Sequence, residues 1–125
     1  MSGRSAGVML DVRVNRFQNA IEALNDCIQA CNSCLTDSLL EQEISMLVDC
    51  IELDRDCADI CSLTTQYISR DSRFAKEIAR QCAQVCDACA KECEKHATTM
   101  EHCRVCAEIC RKCADECRLV ATATE

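Results

Sequence analysis

Between Gln81 and Cys93 the chain reads QCAQVCDACAKEC, with thiols at 82, 86, 89 and 93. Thiolate sulfur is a soft ligand that selects Cu(I), Zn(II) or iron–sulfur clusters; in other settings it is a redox nucleophile. The same rhythm recurs along the 125 residues, which hold fifteen cysteines. Cys27, Cys31 and Cys34 come first, then Cys50, Cys57 and Cys61. Cys82, Cys86, Cys89 and Cys93 follow, and then Cys103, Cys106, Cys110, Cys113 and Cys117. All fifteen are candidate metal ligands.

An α-helix turns about 100° per residue, so steps of four, three and four keep these thiols within roughly 40° of one line. Such a line is the seam of a helix that faces other helices. There is no Pro, and both Gly lie in the first seven residues. The rest is rich in Ala, Glu, Leu, Arg and Ile, mostly helix formers. The expected fold is all-α. Residues 1–9 read as a flexible lead, and 10–122 as one four-helix domain, with helices at about 10–35, 39–69, 72–96 and 100–120. Asp37 or Ser38, Asp71 or Ser72, and Thr98 or Thr99 are the expected caps. Short connections imply an antiparallel up-down-up-down four-helix bundle with a cysteine-lined core. Beside the thiol line of the first helix runs an apolar stripe, Leu10, Phe17, Ile21, Leu24, Ile28 and Leu35, suited to the bundle flank or a partner subunit.

A formal net charge of −7 with scattered Arg and Lys disfavours nucleic acid and acidic membrane surfaces as partners. No apolar run approaches the ~20 residues that span a bilayer. The start, MSGRSAGVML, lacks a signal-peptide apolar region and a twin arginine, so the expected location is the cytosol. A disulfide scaffold is opposed by that reducing compartment, by the odd cysteine count and by the helical phase of the thiols.

One buried thiol is a small hydrophobe. Fifteen in one core leave it underfilled, because Cys is much smaller than Leu and voids cost stability. Something should fill the tube. Four thiolates per zinc would place several doubly negative centres in one dry core, which repel. Iron–sulfur cysteines usually sit on loops. A Cu(I) ion with about one thiolate apiece is neutral, and bridging sulfurs let such ions run in a chain. Multiple Cu(I) ions fit best; zinc or iron–sulfur binding is the alternative. A thiol redox enzyme needs an exposed low-pKa cysteine in a βαβ setting, which is not visible, so the expectation is no enzyme.

CIELDRDCADIC, DSRFAKEI, QCAQVCDACAKECEKH and EHCRVCAEICRKCADEC, in that order, resemble the bacterial copper storage proteins, and the missing export signal resembles their cytosolic branch. The resemblance implies a homotetramer of bundles, each storing many Cu(I) ions on Cys. It also implies one open end with His and Met, and one plugged by apolar groups. Met46, His96, Met100 and His102 are the candidate mouth ligands, gathered with Cys34, Cys93 and Cys103. Phe17, Tyr67, Ile68, Phe74 and Val120 form the expected plug. Asp54 stands on the seam where another Cys would fall. It is expected to pair with a His or Arg, or to lend an oxygen to copper, the supporting role being favoured because carboxylate suits Cu(I) poorly.

Overall fold

A computed structural model describes residues 16–124. Four long helices account for most of them: α1 (Gln18–Leu39), α2 (Val48–Ser69), α3 (Ala75–Glu94) and α4 (Glu101–Ala121). A 3-10 turn, Ile44–Leu47, leads into α2. Each helix packs on its neighbours in sequence, and α1 closes on α4; the α3–α4 interface is the most extensive and α1–α4 the least. This is the up-down bundle expected from the connections, with no strand among the described residues.

Every cysteine is buried and unpaired. Buried alanines flank the thiols on α3 (Ala79, Ala83, Ala90) and α4 (Ala107, Ala114). With no bulk beside the seam, these two helices approach closely. Outside, Arg111 reaches Asp87 and Glu94, and Arg118 reaches Asp87 and Asp115. Such exposed pairs contribute little each, but they tie α3 and α4 in one register.

The helix ends differ from expectation. α1 runs on to Leu39 rather than stopping near 35, and α2 begins at Val48 rather than 39. The stretch from Leu10 to residue 15, where the first helix was expected to begin, lies outside the described residues. None of the four N-cap residues makes a side-chain capping bond; at the other end of α4, the Thr122 hydroxyl donates to the Arg118 carbonyl. Asp37 and Ser38 lie inside α1, where Ser38 is buried and its Oγ sits 3.9 Å from the Cys34 sulfur. It continues the 27, 31, 34 line by one more step. Asp71 takes a left-handed φ of 54°, a conformation short polar side chains tolerate. Ser72 Oγ accepts the Phe74 N–H at 3.1 Å before α3 starts. Thr99 Oγ1 donates back to the His96 carbonyl.

The end opposite the α1–α2 connection is closed by Ile68, Val120, Ala20 and Ala121, all buried. Phe74 is not part of that plug: it is 50% exposed, with the Arg73 guanidinium over its ring. Tyr67 is half-buried under Arg70, and Phe17 is half-buried at the rim.

Candidate metal centre

The seams of four helices meet in one continuous column of sulfur. On the closed-end side, Cys61 lies 3.7 Å from Cys82, 3.7 Å from Cys86 and 3.8 Å from Cys113. Cys86 reaches Cys57 at 3.5 Å, and Cys57 reaches Cys27 at 3.6 Å. Cys27 and Cys31 both approach Cys110, at 3.8 and 3.7 Å. Cys106 continues the column 3.8 Å from Cys110. At the other side Cys50 and Cys93 are 3.4 Å apart. Cys117 lies at the closed end, its thiol pushed up by Cys113 and Cys82.

These separations match a metal's demands. A metal–sulfur bond of about 2.3 Å places ligand sulfurs ~3.8 Å apart in a tetrahedron and ~4.0 Å apart in a trigonal plane. Cys27, Cys61, Cys86 and Cys113 converge with their sulfurs within 4.8 Å of one another. So do Cys27, Cys31, Cys57 and Cys110, and so do Cys31, Cys89, Cys106 and Cys110. Cys27, Cys31 and Cys110 each serve two of these groups. The groups therefore share donors along the column instead of standing apart as closed sites.

Asp54 stands inside this column. It forms one group with Cys89, Cys93 and Cys106, and another with Cys34, Cys50 and Cys93. The expected His or Arg partner is absent among the described residues. Thiols take its place, because the facing seams carry nothing else at that level. Cys89 donates to Oδ1 at 3.2 Å and Cys106 at 3.5 Å. Burial first, then the nearby Cys106 and Cys89, push the Asp54 carboxyl up to about 12, so in the metal-free protein it keeps its proton at neutral pH.

Burial raises the thiols throughout the tube, since a lone thiolate in a dry core lacks compensation. Cys103 is carried up to about 12 mainly this way. Hydrogen bonds among the thiols then divide them: Cys27, Cys57, Cys82, Cys89 and Cys106 are brought down, while Cys31, Cys61, Cys86, Cys93 and Cys110 are carried further up. Cys34 is among those lowered. The hydrogen bond with Cys106 raises it, but those with Cys50 and Cys93 outweigh that and bring it down to about 6.

A model of the copper storage protein family matches residues 13–122. The chain belongs to the copper storage protein family. Its fold resembles that of copper storage protein 3 from Bacillus subtilis, solved without copper. The two are 46% identical, with 84% of this chain and 98% of the other covered at a TM-score of 0.76. It also resembles a cytosolic copper storage protein from Streptomyces lividans, solved with five coppers. There the identity is 37%, with 92% and 99% of the two chains covered and a TM-score of 0.86. An uncharacterised cysteine-rich protein of Bacillus subtilis, YhjQ, is 48% identical over 52 residues. That match takes in 42% of this chain, which spans about half the length of the relative, 48%.

For this family member the four mouth candidates divide. A groove of about 760 Å³ opens between α1 and α4. Cys34 and Cys106 lie on its floor, with His102, Met100, Glu41 and Asp37 around them. His102 Nδ1 is 3.5 Å from both Cys34 Sγ and Cys103 Sγ. Burial lowers the His102 pKa, but the bonds to Cys34 and Glu41 outweigh it and carry it above its ordinary value. Met46 and His96 do not line the groove. Met46 is 57% exposed on the 3-10 turn. His96 is half-buried, its Nε2 lying 3.4 Å from Glu92 without the alignment of a hydrogen bond. Glu41 was not foreseen, because a loop acid carries no periodic signal. Ser38 could have been found by extending the Cys27–Cys34 spacing one step.

Proposed function

We propose that this protein stores many Cu(I) ions as thiolates inside the bundle, on the fifteen cysteines from Cys27 to Cys117. The sharing of donors carries this reading: Cys27, Cys31 and Cys110 each belong to two convergent groups. Cu(I) accepts two or three sulfurs and tolerates bridging ones. Zinc calls for four ligands of its own, and such closed tetrathiolate sites would set doubly negative centres side by side in a dry core. Each Cu(I) that replaces a thiol proton leaves the core neutral, so a column this dense fills without charge building up.

Loading then proceeds by exchange. A Cu(I) arriving at the groove meets His102 Nδ1, Cys34 and Cys103, with Met100 beside them. It displaces a proton from sulfur and passes inward to Cys106, Cys89 and the column beyond. Asp54, protonated in the empty protein, sits between the outer and inner thiols as a neutral hydrogen-bonding group. The role is storage without catalysis. A cytosolic location is supported by the cytosolic Streptomyces lividans relative; among the described residues no helix is long and apolar enough to cross a membrane. A homotetramer is the assembly that the family resemblance favours.

Anaerobic titration of the reduced protein with Cu(I), against a coloured chelator, tests the reading. Saturation near fifteen ions per chain is expected, about one per thiol. Saturation at four or five, with zinc preferred, would overturn it.

A further inference from the structure

Glu41 lies in the connection after α1, and His102 on the first turn of α4. The two are 61 residues apart in sequence, yet His102 Nε2 and Glu41 Oε1 are 3.3 Å apart. The other ring nitrogen, Nδ1, is the atom 3.5 Å from Cys34 and Cys103. A neutral imidazole carries its single N–H on one nitrogen and a lone pair on the other. A carboxylate at Nε2 accepts only from an N–H, so it holds the proton there and leaves the lone pair on Nδ1, between the two sulfurs.

We propose that Glu41 is a positioning residue for copper uptake: across the α1–α4 groove it fixes the His102 tautomer and ring plane so that Nδ1 and the Cys34 and Cys103 sulfurs form a ready three-donor landing site. The inference rests on the storage reading for its purpose, but its structural half stands without copper. Carboxylate-to-histidine bonds of this kind orient metal-binding imidazoles, and their loss typically costs about 10–100-fold in affinity or activity. Glu41 is partly exposed, at 37% of its side chain, so the low end of that range applies. Asp37 lines the same groove but acts on His102 only through its charge, so it does not fix the ring.

The test has two readouts on the full-length reduced protein. In the metal-free state, 15N NMR of the imidazole reports which ring nitrogen of neutral His102 carries the proton. Wild type should show protonated Nε2 and bare Nδ1, Glu41→Gln should lose that preference, and Glu41→Asp should retain part of it. Stopped-flow uptake of Cu(I) from a weak chelator should slow about tenfold in Glu41→Gln at unchanged capacity. Asp37→Asn should leave both readouts alone, and His102→Ala combined with Glu41→Gln should be no slower than His102→Ala. The inference is overturned if Glu41→Gln keeps the wild-type tautomer, or loads at the wild-type rate. Failure to hold many Cu(I) ions at all would sink the storage reading, and the tautomer result would still decide whether Glu41 orients His102.

Discussion

Asp54→Asn in the metal-free protein offers a test whose size follows from the geometry. Folding takes a carboxyl with an ordinary pKa of 3.8 into a thiol-lined core where it is pushed up to about 12. Between those values the folded chain binds one more proton than the unfolded chain. Stability contributed by this residue is therefore greatest below pH 3.8 and falls as pH rises, by about 1.4 kcal/mol per unit. At pH 7 the gap to 3.8 is 3.2 units, a cost of about 4 kcal/mol that does not depend on how high the folded value stands. Asn has nearly the same shape and takes up no proton, so this slope should vanish. Its amide N–H groups meet sulfur, a weak acceptor, which costs about 1–3 kcal/mol. The variant should still be the more stable protein at pH 7. The assay is urea unfolding of both proteins with a thiol reductant and a copper chelator at several values between pH 5 and 6. In that window thiols do not titrate in the unfolded chain. The contributions of His102, raised from 6.5, and of Cys34, brought down to about 6, are carried by both proteins and drop out of the difference between them. The two stability curves should converge toward low pH, by about 1.4 kcal/mol across the window. Parallel curves would refute the protonated, buried Asp54.

Replacing Cys86 and Cys110 together with Ser should lower Cu(I) capacity by several ions, since Cys110 serves two groups and Cys86 approaches Cys57, Cys61 and Cys82; a loss of none, read by chelator competition, would contradict the bridged arrangement. His102→Ala should slow uptake at constant capacity while His96→Ala changes it much less, because only His102 lines the groove; equal slowing of both would move the way in to the bundle end. Circular dichroism of the metal-free protein should already show a helical spectrum, since Leu24, Leu47, Ile68 and Val120 are buried against apolar neighbours that no ion supplies; a coil-like spectrum would mean that metal drives folding, as in zinc fingers.

The sequence made the four helices legible because thiols and flanking apolar residues share one helical phase over four segments. That phase also put Asp54 in the core, between Cys50 and Cys57. What faces Asp54 was not legible. It depends on the register of α3 and α4 against α2, which sets Cys89 and Cys106 opposite it. Helix ends were read from capping residue types, and there the chain behaves otherwise. No Gly or Pro follows α1, so Thr36, Asp37 and Ser38 simply continue the helix, and the break comes at Leu40. Phe74 looked like a plug by residue type, but the turn through Asp71 leaves it at the N-terminus of α3, on the surface. The groove ligands split for a similar reason: spacing along a helix cannot say which of two neighbouring gaps a side chain lines.

A core of thiols raises the question of what holds the bundle together. The seam cannot, because a column of small side chains leaves dispersion contacts unmade. The work falls to its borders. Alanines at 83 and 90 on α3, and at 107 and 114 on α4, are each seven residues apart, two turns of helix, so they form flat strips beside the thiol lines where backbones come close. The groove onto Cys34 and Cys106 opens between α1 and α4. Filling the seam with Leu would strengthen the bundle's packing and remove its capacity. Tightening α1 on α4 would close the groove that reaches Cys34 and Cys106. The grooved edge and the underfilled axis thus belong to one arrangement: the axis provides the sites, and the edge provides the way to them.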